Sequence, residues 1–384
     1  MLHAPATVPN VDTRELGRRP TGEAARGDDP WAGASTRDRL DTRIIAWSIL
    51  VGLSALFDIA VFVLWVNNGV TAGEDGVRVL RAAQSLAAHA PLYSDPAFLY
   101  SPLAALLAWP ASLLPTQTAL AAWLVAELAL TGLLALRLTR SLPFSVRLVA
   151  LVGAITSLPV LYDVALGNTT IVLLATMALV VMLPDEVGAG PALGVMAAAV
   201  PKPLVLPFLA WMLVWRRRAL AGTLLAGAAA TAVAMLVAGA GAYQSWIAAM
   251  RAGTRFAVPF AGNSGLTELA PAAALPIMLV TAALFVWVLA RRDQQTALVW
   301  ALGCGLIVAP YVGLYGAAAL LLAFPELYAR SPRITFGLAA VAPLAAPFAL
   351  PLLGGAAMAL ALVTPPARAA GHPGRVLVPP LPRR

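Results

Sequence analysis

Lys202 is the sole lysine of a chain whose other basic residues are all arginine, and it stands between two prolines in Val200-Pro201-Lys202-Pro203-Leu204, within apolar sequence. A lone cation at membrane depth is costly, so it is expected to face a bundle interior or wet cavity and to take an anionic partner such as a carboxylate or phosphate. The competing reading is a side chain that snorkels to the interface from a broken helix end. Asp75 is the second candidate. It follows the first apolar run and belongs to a long polar loop. A carboxylate there meets both water and the bilayer surface, which suits a general base that deprotonates an acceptor hydroxyl while a lipid-linked donor stays in the membrane. Equally, Glu74 and Asp75 suit the N-terminus of a helix, where negative charge meets the macrodipole. Downstream lies an aromatic and proline-rich approach to the membrane, Pro91 to Leu103, with Tyr93 and Tyr100. These tyrosines are either belt aromatics or rings that line a sugar site.

The elements that position these residues are apolar. The 384 residues are 60% hydrophobic and 11% charged, with a mean hydropathy of +0.82, against about 45–50% apolar and 25% charged in an ordinary soluble domain. The chain therefore reads as an all-α, polytopic transmembrane helix bundle with roughly nine to twelve membrane segments and a long outer first loop. Alternating ten-residue strands are absent from the sequence, which argues against a barrel. The net charge of +8 comes from arginines in short loops and at the tail, so it reads as a topology signal and no nucleic-acid partner is expected.

Residues 1–43 contain seven arginines and seven acids with no apolar period, and are expected to be a disordered tail. Residues 44–363 form the membrane domain, and residues 364–384 form a basic C-terminal tail. No secretory signal is expected, because the first apolar run is long and lacks a cleavage site. Cys304, the single cysteine, excludes an intramolecular disulfide. His3, His89 and His372 are scattered without ligand spacing, which excludes a structural zinc site. Neither long loop carries paired acids of the Asp-x-Asp kind, so neither a metal nor another cofactor is expected.

Ile44 to Val66 is the first span, and residues 75–88 place Val79, Leu80, Ala83 and Leu86 at the spacing of an amphipathic helix lying in the interface. Pro201-Lys202-Pro203 divides two short apolar segments into a hairpin or broken helix. Arg137, Arg140 and Arg147, then Arg216 to Arg218, then Arg291 and Arg292, are expected on the cytoplasmic side. Two full spans at 99–115 and 117–137 would put Arg137 to Arg147 on the other side. Either segment 99–115, with Pro102, Pro110 and Pro115, is re-entrant, or that loop breaks the rule. Asp58 and Glu127 fall inside spans, where a carboxylate must be paired or protonated, and a structural role is favoured for both.

The order of motifs resembles the polyprenyl-phosphate-mannose-dependent mannosyltransferases of glycosyltransferase family 87, which have the GT-C fold. An acid in the first outer loop is followed by Tyr100-Ser101-Pro102-Leu103, similar to Tyr-Pro-Pro-Leu. Next come Gly167-Asn168-Thr169-Thr170, similar to Gly-Gln-x-Asn, then Lys202-Pro203 with Arg216-Arg217-Arg218, then Ala309-Pro310-Tyr311 with Tyr315. Ser101 departs from the family's proline, Asn168 from its glutamine, and the last motif lacks its serine. The resemblance implies transfer of a hexose, mannose first, from a polyprenyl-phosphate donor to a glycolipid or glycan acceptor, with inversion. It also implies a multi-pass protein of a bacterial inner membrane, in contact with membrane lipid. By the same resemblance Asp75 would be the catalytic base, and Lys202 with Arg251 or Arg255 would contact the donor phosphate. Tyr93, Tyr100, Asn168 and Tyr311 would contact substrate. A transporter or flippase for a lipid-linked sugar is the alternative, and would carry repeats, paired broken helices and a midplane ion site. A structural membrane subunit is the third reading.

Overall fold

The computed structural model describes residues 30–67, 73–253, 265–309 and 312–364. The chain divides after Arg43 into a short N-terminal unit and a unit from Ile44 onward. Regular structure begins earlier than the sequence predicts, since helix α1 is Pro30–Asn67. All regular structure among the described residues is helical.

Among the described residues three helices are long and apolar enough to cross a bilayer: α4 (Thr116–Leu138), α10 (Arg217–Ala238) and α13 (Pro271–Arg291). Helices α5 (Phe144–Thr156) and α6 (Leu158–Leu166) reach that length and apolarity only as a pair, bent by 44° at Ser157. The bend has a cause. Pro159 stands in the first turn of α6, and the Leu158 N–H donates to the buried Asp58 carboxylate of α1 at 3.0 Å. Asp58 is thus the side-chain cap of α6, the structural role expected for it.

Several other apolar helices are short. Helix α2 (Glu74–Ala87) buries Gly76, Leu80, Ala82 and Ala83 on one face, and α3 (Pro102–Ser112) packs against it. At about 1.5 Å per residue α3 reaches roughly half the hydrocarbon thickness. Ser101 at its start donates to Ala198, four residues before Lys202, and Trp123 in α4 donates to the Asn168 carbonyl. At eleven residues α3 is too short to cross alone, which is consistent with the re-entrant alternative for 99–115.

Three helices run from the surroundings of Asn168 and Lys202 to the arginines. Helix α4 carries Arg137 in its last turn, about 20 Å along the helix from Trp123. Helix α7 (Thr170–Met182) ends where Arg216 donates to the Val181 and Leu183 carbonyls at 3.1 and 3.0 Å. Helix α9 (Val205–Trp215) runs from the Pro-Lys-Pro break to the same arginine. Trp211 of α9 donates to the Gln294 carbonyl at 3.0 Å, which sets Arg291 and Arg292 at this end as well. The guanidinium of Arg216 satisfies two of the carbonyls that a helix end leaves open and meets the negative pole of α7.

Helix α8 (Pro191–Ala199) is held against α10 by small residues. A Cβ on Gly190 would stand 1.9 Å from the Ala219 carbonyl, and one on Gly194 would stand 2.0 Å from that of Thr223. Without a strong hydrophobic drive between helices in lipid, backbone proximity of this kind is what lets them associate. Gly194→Ala should therefore destabilise the protein by about 1–3 kcal/mol. Gly52→Ala, where nothing lies within 4 Å, should leave stability unchanged or raised, and thermal unfolding of both purified variants in detergent checks the contrast.

Candidate active site

Helix α6 ends in a turn that places one amide. The Gly167 N–H donates to the Val164 carbonyl at 2.9 Å and the Asn168 N–H to that of Asp163 at 2.9 Å. This is the paired pattern of a Schellman C-cap, with Gly167 left-handed at φ 65°. A Cβ at Gly167 would stand 3.2 Å from both the Cα and the N of Gly76. The same contact brings in helix α2, whose Gly73 N–H donates to the Ala165 carbonyl at 2.6 Å. Two glycines at a backbone crossing therefore bring Asn168 against the first turn of α2, where Asp75 lies.

Asn168, 1% exposed, is the centre of the cluster. Its Oδ1 accepts from Lys202 Nζ at 2.8 Å, from the Tyr100 hydroxyl at 3.2 Å and from the Thr169 N–H at 2.7 Å. Its Nδ2 donates to Asp75 Oδ2 at 3.2 Å, and its carbonyl accepts from the Trp123 indole at 3.1 Å. Only one orientation of the amide satisfies a cation on one side and a carboxylate on the other. Lys202 also donates to the Thr170 hydroxyl and stands 4.1 Å from the centroid of the Tyr315 ring. That ring lies nearly parallel to Tyr162, at 6.5 Å and 13°. Amide, hydroxyl and aromatic face together replace the water that the ammonium has lost.

Lys202 owes its place to the helix break. Val200 precedes a proline and leaves helical geometry at φ −126° and ψ 82°. With Pro203 lacking an N–H, carbonyls at the end of α8 lose their helical partners. Ser101 supplies two replacements: its hydroxyl donates to Ala198 at 2.7 Å and its N–H to Ala199 at 3.2 Å. A proline at position 101, as in the family motif, has neither donor. Ser101 thus docks the start of α3, and Tyr100 beside it, onto the segment that presents Lys202.

Asp75 is half-buried, with Arg78 donating to its Oδ1 at 3.0 Å. Arg78 also pairs with Glu74 and lies 3.6 Å from Asp95. Burial raises the Asp75 carboxyl above the ordinary aspartate range, against the pull of Arg78 and Lys202. Two more acids stand deeper. Asp163 Oδ2 accepts the Ile171 N–H at 3.1 Å, capping α7, and Glu127 in α4 is 0% exposed.

Of the residues singled out in the sequence, Asp75, Tyr100, Asn168 and Lys202 meet in this cluster. Tyr93 supports it, its hydroxyl donating to the Tyr100 carbonyl at 2.9 Å. Arg251 is exposed in the last turn of α11 (Ala240–Gly253). Arg255 and Tyr311 lie outside the described residues. Arg78, Thr170, Trp123 and Asp163 join the cluster unforeseen. Arg78 had a signal in its spacing, three residues after Asp75 on a helix.

An all-helical bundle of membrane-spanning helices, with a charged cluster at the end opposite Arg137, Arg216 and Arg291, defines a polytopic membrane protein with a partly buried polar site. Residues 98–347 match glycosyltransferase family 87. The chain belongs to that family and is a membrane glycosyltransferase. Asp75 and Tyr93 precede the matched region, so it is the fold that joins Asp75 to Asn168 and Lys202. No curated protein and no solved structure matches the chain.

Replacing Asn168 tests the cluster directly. Asn168→Asp sets a second carboxylate against Asp75 and should lower sugar transfer by at least about tenfold, some 1.4 kcal/mol of barrier. Initial rates in proteoliposomes, compared with Asn168→Gln, measure it. The glutamine variant keeps both amide functions and should retain more activity.

Proposed function

We propose that the protein transfers a hexose, mannose first, from a polyprenyl-phosphate carrier to a hydroxyl of a glycolipid or glycan at the outer face of a bacterial inner membrane. The observation that carries this reading is the hydrogen-bonded line Asp75–Asn168–Lys202, which holds a carboxylate and a half-buried cation a single amide apart. A displacement at an anomeric carbon needs a base on the incoming hydroxyl and positive charge on the departing phosphate, and this pair supplies one of each.

The step balances as follows. The acceptor O–H gives its proton to Asp75 and its oxygen attacks C1 of the sugar. The bond from C1 to the phosphate oxygen breaks, and the phosphate leaves with the electron pair, its charge met by Lys202. Attack and departure on opposite faces invert the centre, so a second carboxylate acting as nucleophile is not needed. Tyr100, whose hydroxyl donates to Asn168, borders the acceptor side. Arg251 and Arg255 are assigned to donor phosphate contacts, and Tyr93, Asn168 and Tyr311 to substrate contacts, on the family resemblance. The orientation follows from the arginine clusters, which all lie at the far ends of α4, α7, α9 and α13 from the site. By the positive-inside rule that end is cytoplasmic and the site faces out.

Asp75→Asn should lower transfer by about 10²–10⁴-fold, the usual weight of a positioned base, while binding of a polyprenyl-phosphate hexose changes little. The assay is transfer of radiolabelled sugar by the purified chain in lipid. Equal transfer by the variant would remove Asp75 from the mechanism, and donor movement across the bilayer without transfer would favour a flippase.

The pH dependence has a definite sign. The base works ionised and burial raises its pKa, so kcat should fall on acidification at a pH above the value near 3.9 of an unperturbed aspartate. A kcat profile from pH 4 to 8, taken at roughly saturating donor, measures this limb.

A further inference from the structure

Two buried acids beneath the cluster have no part in the displacement. Glu127 is 0% exposed and neither of its carboxylate oxygens has a hydrogen-bond partner among the described residues. Asp163 is 0% exposed, and its Oδ1 is likewise unpartnered. The two act on each other electrostatically, and both act on Lys202. A carboxylate without donors is not tolerated in an apolar interior, whereas a carboxylic acid carries its own donor. Glu127 therefore fits the neutral form and Asp163 the ionised one. Asp163 keeps one backbone donor, from Ile171. It also has the Thr170 hydroxyl, which accepts from Lys202 and lies beside Asp163 in turn.

The site already carries more carboxylates than cations. Lys202 faces Asp163 through Thr170, and Arg78 faces Asp75 and Glu74. The remaining titratable groups around them are the tyrosines Tyr100, Tyr162 and Tyr315, and the more exposed Asp95. A phosphate that takes Lys202 as its partner leaves Asp163 buried without a counter-ion. We propose that binding of the anionic donor group is coupled to uptake of one proton from water by Asp163, with Glu127 as its neutral neighbour. The inference rests on the phosphate-linked donor proposed above.

Its consequence is a pair of opposed pH effects. If a proton enters with the donor, the donor Kd falls as pH falls, by up to about tenfold per unit for one proton. Meanwhile kcat falls as Asp75 is protonated. Affinity and turnover are thus optimal at different pH values.

The probe is a short-chain prenyl phosphodiester of a hexose, whose single charge does not titrate over the range used. Its Kd is measured from pH 5.5 to 8.5 on the full chain in detergent, by fluorescence competition, with thermal unfolding as a check on each variant. The native protein should bind more tightly as pH falls. Asp163→Asn retains an acceptor for the Ile171 N–H but cannot take up a proton, so its Kd should be flat and tighter than native at pH 8.5. Glu127→Gln, which mimics the neutral acid, should keep the native slope. Asp75→Asn should also keep it, which separates this proton from the catalytic one. A flat native profile, or a slope that survives in Asp163→Asn or vanishes in Asp75→Asn, overturns the inference while leaving the proposed function standing. No binding by any form at any pH overturns the proposed donor class, and the inference with it.

Discussion

A lysine in an apolar bundle must be presented by backbone that can reach it out and surrounded by groups that replace water, and both demands are met at one helix break. Two prolines interrupt the apolar run between α8 and α9. The interruption frees carbonyls that lipid cannot solvate, so another part of the chain has to come and donate to them. Ser101 does so through both its hydroxyl and its N–H. The start of α3 is thereby fixed against the lysine, which is why a proline-rich segment that is too short to cross the membrane still has a defined place. The break and the helix that docks on it are two halves of one solution.

Around this anchor the remaining contacts are small and close. Gly167 lets α6 end in a left-handed turn and lets α2 approach within backbone contact. Gly190 and Gly194 do the same for α8 and α10. Larger side chains at these crossings would separate the helices and pull Asp75 or Lys202 away from Asn168. The site is therefore held less by a large core of its own than by the absence of side chains where backbones cross. The one amide between the base and the cation converts that closeness into a fixed geometry.

The structure also separates charges by function. Arg216, fully buried, satisfies the C-terminus of α7, and Asp58 caps α6. Both close a helix end that water cannot reach. Asp75 and Lys202 instead are only partly buried. Access to solvent distinguishes these two groups, which can meet a substrate, from those that complete a fold.

Much of this was legible in the residues. Composition and run length required a helical membrane protein, because the apolar fraction leaves too little polar surface for a soluble domain. The solitary Lys202 between prolines announced a break and an anionic partner, and the arginine clusters announced one face. Spacing marked α2 as amphipathic, and motif order pointed to the family. Local pattern could not say which segments cross, since α3, at eleven residues, is as apolar as a span. Nor could it show that Asn168 joins Asp75 to Lys202, residues 93 and 34 positions away. Such contacts depend on where helices cross, and crossing is decided by glycines whose partners lie far along the chain. The residues alone set which chemistry is available, because charge and apolarity are properties of single residues. Packing set which of those residues work together, because proximity is a property of the folded whole.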